Sequence, residues 1–404
     1  MKKVRLGIIG CSGYAWQLIK RIGTLPRHAR LVAAMSPDPL SNEARWCESL
    51  GVRVFDSVED LLDFGQGRLD AILNPTPIHL HKPLTLQCLE AGFPVWLEKP
   101  PVATVDDLDE LAAASAKKRC RVDVCFNSLY AFQIQRLKAE LVAGNFGQIH
   151  RIRSIGSYAR TDAYFARSKW AGRLQVDGLS VYDGTINNPL AHVLCNNLFF
   201  AAREHHALAE AESVEAELWH GHAIESEDTS SLRIRTREGV EVLSHLTLCP
   251  EEEISPLTVI DADRATIRII DFQTVEICWA DGGTEIRDSY KENRMEMLEE
   301  LSYQTAYGGD PLCSLSMTRP FTSVVNAAFE QVLAKEGCIP GVMPSLIDRF
   351  PSGGSIGTRI KGINVLMMQA HESGKLLGEC SAQLEQTRLP VERPPHQPFS
   401  RMAG

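Results

Sequence analysis

No apolar stretch of this chain approaches the roughly 18–20 uncharged residues that a membrane-spanning helix requires, so no membrane partner is expected. Excess positive charge is also lacking. Lysine and arginine total 42 against 51 aspartates and glutamates, a net charge of −9, which argues against nucleic acid as a partner. Eleven cysteines are an odd number, with no CxxC pair and no His/Cys group at zinc-finger spacing. Neither a disulfide framework nor a metal site is expected, and a reducing compartment is. No GxSxG elbow, HExxH helix or internal repeat occurs, and Ser352-Gly353-Gly354-Ser355 lacks the lysine of a P-loop and reads as a turn. Met1–Arg5 followed by Leu6–Cys11 has the outline of a signal peptide, but its apolar run is short and contains a glycine turn. The expected location is cytoplasmic.

The 404 residues are 44% hydrophobic and 23% charged, enough apolar material for a sizeable core. Length alone predicts two or three domains at about 150 residues each. Up to residue 126 the pattern alternates: short β-branched runs (4–9, 31–35, 52–55, 70–73, 94–97, 121–126) separated by helical periods. Ser57-Val58-Glu59-Asp60 and Thr104-Val105-Asp106-Asp107 supply helix starts. This implies βαβ units and a doubly wound parallel sheet of Rossmann type over 1–126. From 127 to 387 the pattern predicts a substrate-binding and oligomerisation α+β domain. Its sheet is predominantly antiparallel, with six strands between 231 and 288, framed by helices near 132–143, 188–200, 321–335 and 360–373. A Pro-rich tail follows at 388–404. Leu232, Ile234, Val242, Leu246 and Leu248 alternate with Arg233, Arg235, Glu241 and His245, so one sheet face is free to pair with another subunit. A homodimer or homotetramer is expected.

Three segments carry chemistry. Gly10-Cys11-Ser12-Gly13-Tyr14-Ala15 is an imperfect G-x-G-x-x-G/A turn, with Ser12 at the second glycine, suited to a pyrophosphate at a helix N-terminus. Ser36 occupies the position where an acidic residue would hold an NAD ribose. Asp38 lies two residues on and no arginine adjoins it, so NAD and NADP both stay open. Asn74-Pro75-Thr76-Pro77-Ile78-His79-Leu80-His81 and Glu98-Lys99-Pro100-Pro101 fall at the carboxyl ends of the fourth and fifth strands, where doubly wound sheets bind ligands.

In this order, the three segments resemble the glucose–fructose oxidoreductase / inositol dehydrogenase / rhizopine-catabolism (Gfo/Idh/MocA) family. The resemblance implies hydride transfer between NAD or NADP and a hydroxyl-bearing carbon of a sugar, cyclic polyol or sugar derivative. Lys99 becomes the active-site lysine and Glu98 a cofactor-orienting acid. Asn74, Thr76, Pro77 and His81 join the nucleotide contacts, as does Asn127 after the sixth strand. The family's D-x-x-x-H helix pair corresponds to Asn188 and His192, an amide standing where a carboxylate is usual. His192 is then the expected proton carrier, with Lys99 polarising the hydroxyl and Asn188 orienting one of them; Asp183 is a reserve carboxylate. Tyr164, Arg167 and Trp170, with Tyr158 and Arg173 nearby, are expected at the substrate, since aromatic faces suit a sugar ring and arginines a carboxylate or phosphate. His220-Gly221-His222 is expected to put both rings on one strand face without a third ligand, and His205-His206 on the surface. Two further activities stay open: an NAD-dependent glycosidase working by transient oxidation and elimination, and a non-catalytic dinucleotide sensor or scaffold.

Overall fold

The computed structural model describes residues 2–289 and 291–381; the expected Pro-rich tail lies outside them. The first sheet is built from β1 (Val4–Ile9), β2 (Ala29–Met35), β3 (Arg53–Phe55), β4 (Ala71–Asn74), β5 (Val95–Leu97) and β6 (Val122–Val124). All its pairings are parallel, in the order β3-β2-β1-β4-β5-β6. Its helices are α1 (Gly13–Gly23), α2 (Asn42–Ser49), α3 (Val58–Gly65), α4 (Ile78–Glu90) and α5 (Val105–Lys118). The N-caps at Ser57 and Thr104 form as the sequence predicts, each hydroxyl accepting an N–H three residues on. This strand order reverses between β1 and β4, and their carboxyl ends flank the ligand crevice of such sheets.

The second sheet is larger than expected. After α6 (Phe132–Val142) come β7 (Ile149–Ser157), α7 (Asp162–Ala166), the short pair β8 (Gln175–Val176) and β9 (Leu179–Ser180), and α8 (Ala191–Ala201). Then follow β10 (Ala211–Trp219), β11 (Thr229–Thr236), β12 (Glu241–Thr247), β13 (Leu257–Ala262), β14 (Ala265–Ile270), β15 (Thr274–Trp279) and β16 (Thr284–Asp288). The order is β10-β11-β12-β7-β13-β14-β15-β16, eight strands rather than six. Its central β12–β7 pair is parallel, so the sheet is mixed. Sequence pattern missed β7 and β10 because each is rich in residues of low strand propensity or in charge: Arg151 and Arg153 in β7, Glu212, Glu215 and Glu217 in β10.

The chain ends its described course with α9 (Asn293–Tyr307), α10 (Leu315–Glu336), the hairpin β17 (Ile347–Ser352) and β18 (Ser355–Ile360), α11 (Ile363–Ser373) and α12 (Leu377–Cys380). The Ser352–Ser355 turn closes that hairpin. The first sheet is not sealed at residue 126: the Val124 N–H donates to Cys313 O, and α9 reaches back through Thr305, which accepts from the Trp96 indole. One apolar cluster runs from Leu6 and Ile72 in the first sheet to Leu246 and Phe329 in the second half.

The opposite face of the large sheet is covered in part: it is closed over β7 and β12, while Thr266, Arg268, Cys278 and Ile286 on β14–β16 stay exposed. Ile155, Trp219 and Cys249 pack there against Ile360, Ile363, Met367 and Leu377 of the same chain. His245, expected on a wet face, is fully buried. A subunit contact through that half of the sheet would first have to displace the chain's own C-terminal elements. Among the described residues, no helix is long and apolar enough to cross a membrane.

A buried lysine closes α8. The Lys138 side chain is inaccessible, and its Nζ donates to the Phe199 and Ala202 carbonyls at 2.5 Å each. These are last-turn acceptors that the helix cannot satisfy itself. Burial lowers the Lys138 pKa to about 7. Lys138→Met keeps the stem and removes the donor, and should cost about 1–3 kcal/mol in urea unfolding.

Candidate active site between the two sheets

β1 delivers the chain into a turn with Gly10 at φ +107° and Gly13 at φ +60°, values that only glycine adopts cheaply. Ser12 is the N-cap of α1, yet its side chain makes no cap bond and the first turn carries no acidic residue. The first amides of α1 are therefore left for an anion. Tyr14 and Ala15 follow on the helix, Tyr14 partly exposed and Ala15 buried.

At the end of β2, Ser36 is buried and its hydroxyl donates to Asp38 O at 2.8 Å, so its polarity is spent inside the turn. The exposed carboxylate there belongs to Asp38. Asn74, buried at the end of β4, accepts from the Thr76 hydroxyl (2.7 Å) and donates to Thr85 (3.1 Å), which shapes the Thr76-Pro77 turn into α4. His81 is also buried, its ring nitrogens facing Thr76 O (2.7 Å) and Pro100 O (2.8 Å). Burial lowers its pKa to about 4 against the pull of both carbonyls. His81 thus ties the β4 loop to the β5 loop and keeps neither nitrogen for a nucleotide.

The β5 loop reaches the second sheet's domain through Lys99. Lys99 Nζ donates to Asn188 O at 2.5 Å and to its Oδ1 at 3.2 Å. Asn188 Nδ2 in turn donates to Asp183 Oδ1 at 2.6 Å, and Asp183 Oδ2 accepts the Gly172 N–H at 2.7 Å. The reserve carboxylate is therefore joined to the lysine through the amide. Burial pushes the Lys99 ammonium below its ordinary pKa, opposed by Glu98 and Asp183 and reinforced by Arg294. Burial pushes Glu98 and Asp183 upward. Glu98 Oε1 is buried with no partner, an acceptor aimed at nothing the chain provides.

His192 lies in the first turn of α8, whereas Asn188 precedes that helix, so the pair expected on one helix straddles its start. His192 Nδ1 lies 3.3 Å from the Ser128 hydroxyl, which donates to Asn196 Oδ1 at 2.8 Å. With the hydroxyl proton spent, that oxygen accepts from Nδ1–H, and Nε2 keeps its lone pair. The Phe126 ring meets the imidazole edge-on at 5.7 Å. Burial, then Lys99 and Arg294, hold its pKa well below the usual histidine value. Asn127 is buried in the turn beside Ser128.

Sequence reasoning missed Arg294. Its Nε donates to the Tyr14 hydroxyl at 3.1 Å, and its charge acts on Glu98, Lys99 and His192. No local motif could have flagged a residue brought in by α9 from so far along the chain. The expected substrate group sits on the far side of Asp183. Arg167 stacks over Tyr164 (3.6 Å) and Trp170 (4.9 Å), while Trp170 packs against Ile78, Ala103 and Val181.

The two-histidine expectation needs correction. β10 ends at Trp219, so His220 and His222 lie beyond it rather than on one strand face. A carboxylate and a thiol remote in sequence, Asp228 and Cys249, close on His222, the ligand atoms all within 4.8 Å of one another. Both ring nitrogens are already committed: Nδ1 to Asp228 Oδ2 (2.8 Å), Nε2 to Arg160 O (3.1 Å). That makes the cluster a buried brace for Arg160. His205 and His206 are exposed, as expected.

Residues 4–126 match the sequence model of the Gfo/Idh/MocA oxidoreductase family, described as an NAD-binding Rossmann fold. The match is confined to the first sheet and its helices, and it makes that part of the chain similar to the family's NAD-binding domain. It is 25% identical over 157 residues to an inositol 2-dehydrogenase of Corynebacterium glutamicum, covering 38% of this chain and 45% of the relative. Against inositol 2-dehydrogenase 1 of Saccharopolyspora erythraea it is 29% identical over 164 residues, 40% and 48% of the two chains. The chain thus spans about half the length of the curated relatives it matches. An oxidoreductase from Agrobacterium radiobacter, solved with NAD+, L-tartaric acid and magnesium, superposes with a TM-score of 0.69 at 17% identity, over 83% of this chain and 97% of that one. This likeness shows that the two chains share a fold that runs on through the second sheet.

Behind the site, the buried Glu227 holds the 184–188 turn. It accepts from Ile186 N–H (3.0 Å) and the Thr185 hydroxyl (2.7 Å), and burial raises its pKa to about 8. A Cβ on Gly184 would overlap the Glu227 carboxyl and its backbone oxygen. Gly184→Ala should therefore destabilise the protein by about 1–3 kcal/mol in urea unfolding.

Proposed function

We propose that the chain is an NAD(P)-dependent dehydrogenase of a sugar, cyclic polyol or sugar derivative, in which Lys99 takes the proton of the reacting hydroxyl. The observation that carries this reading is the Lys99–Asn188 contact. A neutral amine has two N–H donors and one lone pair. The two oxygens of Asn188 take both donors, so the lone pair is left for a hydroxyl. An amide at 188 adds no negative charge, and so leaves the burial-lowered pKa of Lys99 in place. This shifts the role that motif resemblance gives to His192: its imidazolium would form beside Lys99 and Arg294 in a buried site, which disfavours it as the acceptor. Neutral His192, with Nε2 open, instead orients the substrate oxygen.

The residues fit a dinucleotide. The Gly10–Gly13 turn and uncapped α1 amides suit its pyrophosphate, and the orphaned Glu98 Oε1 suits a donor on its nicotinamide half. When bound, the nicotinamide supplies the hydride acceptor. Lys99 and His192 then hold the hydroxyl, Lys99 removes its proton, and the Asn188 oxygens and the Asp183 charge stabilise the ammonium that results. The exposed Asp38 carboxylate would repel a 2′-phosphate at the β2 end, so NAD+ should bind more tightly than NADP+ in isothermal titration.

Lys99→Met should cut turnover by roughly 10²–10⁴-fold while dinucleotide affinity holds, followed as NADH appearance over a sugar and polyol panel. Product formed without net NADH would favour the glycosidase alternative. With a lysine base, the oxidation rate should rise with pH along a limb centred below the ordinary lysine value of about 10.4. Asn188→Asp should move that limb upward, because a carboxylate against the ammonium favours its protonated form. A profile unchanged by this substitution would remove Lys99 from the proton-accepting role.

A further inference from the structure

We propose that Arg160 and Arg167, stacked on Tyr164 beside Asp183, form a subsite for an oxyanion substituent of the substrate, a carboxylate or phosphate carried on the ring. This deepens the dehydrogenase reading above and rests on it.

The neighbouring arginines are neutralised and these two are not. Arg173 pairs with Glu225 and Arg349 with Asp162. Among the described residues, neither Arg160 nor Arg167 has a carboxylate partner. Arg160 is half-buried over the Tyr158 ring (5.4 Å) and the Tyr164 ring (4.8 Å), and Arg167 lies over Tyr164 at 3.6 Å. Arg160 Nη1 is spent on Ala159 O at 3.0 Å, but its Nε is buried without an acceptor. A buried donor of a charged group left unpaired is costly unless something outside the chain pairs it. Asp183 acts on Arg167 by charge alone: its hydrogen bonds come from Gly172 N–H and Asn188 Nδ2.

The backbone holds Arg160 firmly in this position. Its N–H donates to Leu248 O (3.1 Å), and its carbonyl accepts from His222 Nε2, whose ring is braced by the buried Asp228. Such a buried brace is more than a surface arginine requires. The patch also belongs to the reaction site. Asp183 acts electrostatically on Tyr164 and is acted on by Arg167 and Lys99, while Tyr158 is coupled to both Arg160 and Arg294. Planar guanidinium groups stacked on aromatic rings are weakly hydrated and bind carboxylates and phosphates through paired N–H donors.

The test uses the whole protein saturated with NADH and measures the dissociation constants of D-glucose, D-glucuronate and D-glucose 6-phosphate by isothermal titration. One of the two anionic sugars should bind at least about tenfold more tightly than glucose, with the preference shrinking as salt is added. Preference for glucuronate assigns a carboxylate; preference for glucose 6-phosphate assigns a phosphate. Arg160→Met and Arg167→Met should each bring the ratio toward one and leave NADH affinity unchanged. Arg167 is exposed, so its variant folds even if the Arg160 variant does not. No preference for either anion, no detectable binding of either, or a preference that survives both substitutions overturns the subsite. Failure of the dehydrogenase reading looks different: wild-type protein that binds no dinucleotide or transfers no hydride. Turnover of neutral sugars without anion preference refutes the subsite alone.

Discussion

Burial of one ammonium group organises this molecule. Lys99 sits just past the end of β5 in the first sheet, and it donates to the two oxygens of Asn188, on the segment that leads into α8. A charged amine removed from water must be solvated by something, and here the opposite domain does it. The consequence is mutual. The nucleotide-binding half cannot settle Lys99 without the 183–188 turn, and that turn is held in place by Glu227 and by the absence of a side chain on Gly184.

The charges around Lys99 form a balance in which no single pair dominates. Glu98 and Asp183 favour the ammonium, while burial and Arg294 oppose it. Had residue 188 been a carboxylate, the ammonium would have gained a direct counter-ion and kept its proton to higher pH. The amide keeps the geometry of the contact while leaving out the charge. One atom, nitrogen in place of oxygen, therefore decides whether the Lys99 ammonium meets a dipole or a counter-ion at residue 188.

Much of the machinery that positions the site is remote from it in sequence. His222, Asp228 and Cys249 show how a metal-like cluster can serve another purpose: every ring nitrogen is already occupied, and the cluster fixes the backbone of Arg160. His81 plays a similar part between the β4 and β5 loops. Both histidines belong to motifs that sequence reading tends to assign to ligands. Their hydrogen bonds make them scaffolding instead.

The alternation of short apolar runs with helical periods was enough to read the first sheet, its helix caps and the glycine turn, since each depends on residues within a few positions of one another. The same locality carried Lys99, Asn188 and His192 into view. Pattern failed where a strand's stability comes from its neighbours: β7 is a charged segment paired on both sides, with β12 and β13, and β10 one paired at the sheet edge with β11. It failed again for Arg294, Glu227 and Arg160, whose roles rest on contacts across 100 residues or more for Arg294 with Tyr14, and across tens of residues for Glu227 with Ile186 and Arg160 with His222. The sequence by itself determined which local elements form and which side chains could do chemistry. Only the tertiary structure decided which charges meet, because burial and long-range contact, rather than residue type, set each group's partner and protonation.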